Sequence, residues 1–101
     1  MTKVTLRRDG KRPLQFQGES IANDSTKTLN STRWTKADVF KTKGGKYVVG
    51  IGHITCWEGE SEHYSAESFE TLEQVADYLE EQVPDLAPDI TKALNVAETV
   101  D

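Results

Sequence analysis

One cysteine, one methionine, three prolines and eight aromatic residues (Phe, Tyr and Trp together) in 101 positions leave several structural devices out of reach. Cys56 alone can close no internal disulfide, so a reducing cytoplasm is the expected setting. No run of roughly 18 apolar residues is present, so no membrane-spanning helix is expected. The opening Met1-Thr2-Lys3-Val4 has no apolar stretch of the secretory kind. No phosphate-binding glycine loop, calcium loop or zinc spacing occurs either, and no cofactor is expected.

Positive charge is scarce in one half of the chain and abundant in the other. Residues 1–50 hold eleven Lys and Arg against four Asp and Glu, a balance of +7. Residues 51–101 hold one against thirteen, a balance of −12, for a net charge of −5. Such asymmetry suits an anionic partner on one surface, a basic partner on another, or self-complementation between copies.

At this length the chain reads as a single α+β domain over 1–101. The expected architecture is an antiparallel sheet of about four or five strands with one or two C-terminal helices packed on one face. Asp9-Gly10, flanked by Val4–Arg8 and Lys11–Phe16, signals a first hairpin, with Pro13 suited to an edge strand. Strand character continues from Phe16 to Ala22 with a break expected at Gly18, and the polar stretch Asn23–Thr32 reads as a loop.

Gly44-Gly45 then lies between two β-branched and aromatic runs and predicts a two-residue type I′ turn. That register pairs Phe40 with Val49, Asp38 with Ile51, Lys36 with His53 and Trp34 with Thr55. It puts Trp34, Lys36, Phe40, Tyr47 and His53 on one face. Val39, Val48, Ala37, Gly50, Gly52, Ile54 and Cys56 share the other, a smooth surface on which a helix could lie. A third strand follows over Glu62–Phe69. A two- or four-residue loop before it puts His63, Ser65, Glu67 and Phe69 on the smooth face, and a three-residue loop puts Tyr64, Ala66 and Ser68 there. The three-residue loop is preferred because Tyr64 and Ala66 make the better core.

Thr71-Leu72-Glu73-Gln74 has capping-box spacing. Leu72, Val75, Ala76, Leu79 and Val83 recur as one helical stripe that ends at Pro84, with Glu73, Asp77, Glu80 and Glu81 on the solvent side. A second short helix begins at Pro88 or Asp89, with Ile90, Ala93, Leu94 and Ala97 at i, i+3, i+4 and i+7, and Val96–Asp101 is expected to be a frayed tail.

Few residues suggest chemistry. His53 and Cys56, three apart on a strand, point to opposite faces, which spoils them as joint metal ligands. Cys56 reads as a small buried hydrophobe rather than a nucleophile, and Glu58, Glu60 and Glu62 read as a solvated turn. No catalytic, metal or cofactor residue is assigned.

Two surfaces remain as candidates for binding a protein partner or a second copy. One is the sheet face of Trp34, Lys36, Phe40, Tyr47 and His53. The other is the acidic helix face of Glu73, Asp77, Glu80 and Glu81. The expectation is therefore a non-enzymatic interaction protein, with a homodimer as one form. The alternative is a nucleic-acid-binding module using the basic cluster Arg7, Arg8, Lys11 and Arg12 together with the aromatic face. The bland account is that charge runs are solvated faces and that the first hairpin covers the aromatics as a second core layer.

Arg33-Trp34-Thr35, the run Val39–Val49, the segment Thr55–Glu60 and the acidic end Glu98–Asp101 resemble short uncharacterised bacterial proteins of the EXLDI type. The likeness covers the last two-thirds of the chain, with Val100 where that family's C-terminal motif has Leu and without its closing Ile. It implies a small bacterial, plasmid or phage protein and no particular mechanism. In architecture the chain is also similar to small phage-encoded inhibitors, some of them anti-CRISPR proteins, which present an acidic helix to a basic nucleic-acid channel.

Overall fold

The computed structural model describes residues 2–95. Five strands come first: β1 (Thr2–Leu6), β2 (Leu14–Ser25), β3 (Arg33–Thr42), β4 (Tyr47–Thr55) and β5 (His63–Phe69). Two helices follow, α1 (Leu72–Gln82) and α2 (Ala87–Ala93). The strands form one antiparallel sheet in the order β1-β2-β3-β4-β5, each paired with its neighbour in sequence. This is the α+β arrangement expected from the sequence, and the sheet is curled. The tail expected over Val96–Asp101, with the acidic end of the family likeness, lies outside the described residues.

The β3–β4 turn differs from the expected one by a residue. Lys41 pairs with Tyr47, so Phe40 faces Val48, Asp38 faces Gly50 and Lys36 faces Gly52. Only Gly45 of the glycine pair takes a positive φ, at 85°, and the Gly45 amide donates to the Thr42 carbonyl. A type I turn closed by one left-handed glycine accounts for both facts, whereas a type I′ turn needs two. Since side chains alternate, the extra loop residue moves β3 by one position against β4 and exchanges half of each predicted face.

The resulting helix face carries Ala37, Val39, Val49 and Ile51, all buried, and the helices cover it with Val75, Leu79, Val83, Leu86, Ala87 and Ile90. A β-bulge in β2 between Ser20 and Ala22 adds Ile21 and Ala22 to the same layer. The smooth glycine face is therefore not the one beneath the helices. It is the inner side of the curl, where a Cβ built on Gly50 would lie 3.1 Å from the Leu6 Cδ1. Leu6 of β1 thus crosses over β4, and Phe16 and Phe40 meet edge to face at 5.4 Å beside it. As the bland account held, the first hairpin covers the aromatic ring of Phe40 as a second layer.

Around Asp9-Gly10 the turn is wider than two residues, because Leu6 pairs with Leu14. Strand β2 passes Gly18 without the expected break and runs on to Ser25, so the loop expected over Asn23–Thr32 shrinks to residues 26–32. Ala66 faces Gly50 and Tyr64 faces Gly52, the side expected for the third strand of the central unit.

The helix start at Thr71 is as expected, with both halves of the capping box formed, and Leu72, Val75, Ala76 and Leu79 face inward. Pro88 lies in the first turn of α2, which begins at Ala87. Cys56 is exposed in the loop after β4 rather than buried in a strand.

Candidate functional site

The five residues of the expected sheet-face site do not share a surface. Trp34, Lys36 and Phe40 belong to the inner side of the curl, while Tyr47 and His53 belong to the helix side. The Lys27 ammonium sits 4.5 Å from the Trp34 ring centroid, and Phe40 packs on Phe16. Tyr47 packs against the helix core. Only Lys36 and His53 of the five are exposed.

The basic cluster serves the fold. In the β1–β2 turn, the Asp9 amide donates to the Tyr64 carbonyl at 2.9 Å, and the Arg7 guanidinium lies 4.7 Å from the Tyr64 ring centroid. Lys11 pairs with Glu67 at 3.5 Å, and Arg8 donates to the Arg12 carbonyl at 2.8 Å. The Asp9, Arg7 and Lys11 contacts tie the first hairpin to the last strand and hold the curl shut, while the Arg8 bond stays within the turn. The ion pairs are exposed and individually weak, about 0–1 kcal/mol each.

Inside the curl, Leu6, Arg7, Lys36, Asp38 and Tyr64 border a cavity of about 260 Å³. Burial holds the Asp38 carboxyl above the ordinary aspartate range, opposed by the nearby Lys36 ammonium. The Tyr64 hydroxyl is also shifted upward, first through its hydrogen bond to Glu62.

On the helix side lies an open hollow bordered by Arg33, Thr35, His53, Glu60 and His63. Arg33 donates to both Glu60 oxygens, with Nη2 at 2.6 Å, and the Thr55 hydroxyl donates to the same carboxylate. Those bonds push the Glu60 carboxyl below its ordinary range and raise the Arg33 guanidinium further. One of the three turn glutamates is therefore a strut between β3 and the β4–β5 loop.

The acidic helix face is intact and divided. Glu73, Asp77, Glu80 and Glu81 are all exposed. Asp77 and Glu81 join Gln74 and Tyr78 along one face of α1, spaced i, i+3, i+4, i+7, and that face looks across a groove of about 510 Å³ toward Ser68, Phe69 and Glu70 at the end of β5. The Phe69 and Tyr78 rings, 5.0 Å apart, line it. Lys46 pairs with Glu70 at 3.4 Å, while Asp77 and Glu81 have no ion-pair partner among the described residues. Sequence reading found the carboxylates but not the aromatic pair beside them. Tyr78 was the available signal, since it falls between the apolar stripe and the acidic one.

These features define a small α+β domain with a two-sided core and an acid-rimmed aromatic groove. The chain matches no protein-family model, no curated protein and no solved structure. Among the described residues, no helix is long and apolar enough to cross a membrane.

Proposed function

We propose that this chain is a non-enzymatic interaction module that takes a Lys- or Arg-bearing segment of another protein into the groove between α1 and β5. The observation that carries it is the pairing of the Phe69 and Tyr78 rings with the Asp77 and Glu81 carboxylates along one groove. An aromatic face attracts a cation by about 0.5–1 kcal/mol when exposed and more when water is excluded, and flanking carboxylates steer the cation there. Glu73 and Glu80 extend the negative field along the outer side of α1.

A basic segment could belong to a host protein inhibited or regulated by this chain, in keeping with the likeness to small bacterial, plasmid or phage proteins. A second copy that supplies the basic segment would make a homodimer. The exposed Cys56 thiol fits a reducing cytoplasm.

Titration of the labelled chain with a Lys- and Arg-rich peptide, followed by NMR, tests the reading. The expected result is a shift of the Phe69, Gln74, Asp77, Tyr78 and Glu81 signals, lost in the Asp77→Lys/Glu81→Lys variant. Shifts confined to the Arg7–Arg12 turn on adding an oligonucleotide instead, with none in the groove on adding peptide, would replace it by the nucleic-acid reading. Light scattering separates self-association from capture of an outside partner.

A further inference from the structure

His53 and His63 are the chain's only histidines, and β4–β5 pairing sets them directly opposite one another on the helix side of the sheet. Cross-strand partners of this kind have their Cα atoms about 4.5–5.5 Å apart. Both are exposed and border the same hollow, and His53 also borders a smaller one beside Pro84 and Asp85 in the α1–α2 connection.

Among the described residues, each ring is held by one nitrogen only. His53 Nδ1 lies 3.0 Å from the Thr35 hydroxyl, on the β3 side. His63 Nδ1 lies 3.0 Å from Asp9 Oδ2, beyond the opposite edge of β5. The two Nδ1 contacts therefore lie on opposite sides of the pair, toward β3 for His53 and toward the β1–β2 turn for His63, and neither uses Nε2. An ionised carboxylate can only accept, so His63 donates from Nδ1, and the neutral form of a ring held this way carries its lone pair on Nε2. The Thr35 hydroxyl can hold His53 the same way. Imidazoles that ligate metal through Nε2 are oriented by this kind of Nδ1 contact.

We propose that His53 and His63 form a two-histidine site for a nitrogen-seeking divalent transition ion such as Zn²⁺ or Ni²⁺, independent of the α1–β5 groove. No set of three or more His, Cys, Asp or Glu side chains comes together among the described residues. Glu60, in the same hollow, is held by Arg33 and Thr55. The protein therefore supplies two ligands and water fills the remaining positions, an exchangeable site rather than a structural one.

Titration of the full chain with ZnCl₂ and NiCl₂ tests this, in a Cys56→Ser background that removes the exposed thiol as a competing ligand. The histidine ring signals report directly, because there are only two sets. Both sets are expected to respond together and to saturate at one ion per chain. His53→Gln or His63→Gln should weaken binding about tenfold or more, and Thr35→Val should weaken it less, with the unfolding midpoint of each variant near that of the parent. Ring signals that respond independently, affinity unchanged in either histidine variant, or no saturable binding at millimolar ion would each overturn the assignment.

Discussion

Gly18, which the sequence marks as a strand break, and Gly50 both lie inside strands, yet the atoms above them differ in kind. A Cβ on Gly18 would fall 2.5 Å from the Lys41 carbonyl oxygen, a backbone atom fixed by the β2–β3 ladder. On Gly50 it would fall 3.1 Å from the Cδ1 of Leu6, a half-buried side chain that can turn. Gly18→Ala should therefore cost about 1–3 kcal/mol, as overpacking does. Gly50→Ala should change stability by less than about 1 kcal/mol, since the loss of chain entropy in the unfolded state offsets part of the crowding. Urea unfolding of the two variants measures the contrast, and equal costs would mean that Leu6 is as fixed as the ladder.

Asp38 gives a residue-scale prediction with a definite sign. Burial makes the folded protein hold that proton to higher pH than the unfolded chain does. The stability it contributes when protonated is present below the ordinary aspartate range and is lost as pH rises through the raised value. Asp38→Asn should remove that loss and raise the thermal midpoint at neutral pH relative to the parent, and a pH series of melts checks it. Glu60 has the opposite slope: its carboxyl is held low by Arg33 and then Thr55, so its contribution is present above the ordinary glutamate range and lost as pH falls through the lowered value.

Among the elements, α1 was the most legible in sequence because its signals are local. The Thr71 hydroxyl accepts the Gln74 amide at 3.2 Å, and the Gln74 side chain accepts the Glu70 and Thr71 amides in return. Thr71→Ala should cost about 1 kcal/mol, within the usual range of about 0.5–2 for a lost N-cap, read as a lower urea midpoint with unchanged slope. The strands were legible as strands, but which face each presents was not. A Gly-Gly turn serves a two-residue loop and a three-residue loop alike, and the local sequence does not reveal the parity that decides which residues meet the helices. From that one residue came the grouping of Trp34 and Phe40 with Tyr47 and His53, which the sheet separates. Which element would cover Gly50 was equally hidden, because Leu6 reaches it through a curl closed by Asp9 and Tyr64, 55 residues apart in the chain.

For the whole molecule, the curl makes two apolar layers on opposite sides of one sheet, and they differ in how they are secured. The helix layer is a continuous buried cluster from Ala22 to Ile90. The inner layer depends on Leu6, Phe16, Phe40, Val48 and Ala66, of which only Val48 and Ala66 are fully buried, and on the exposed contacts that fasten the first turn to β5. Because exposed ion pairs contribute little, Leu6 over Gly50 is the main hydrophobic tie. Leu6→Ala should cost about 2 kcal/mol, the low end for a leucine truncation because the side chain is half-buried. Its effect should also be uneven. The Asp9 amide, bonded to the Tyr64 carbonyl, should lose hydrogen-exchange protection first, while Leu79 and Val83 in the helix layer keep most of theirs. If all these amides lose protection equally, the two layers unfold as one unit and the curl is no less stable than the helix-covered core.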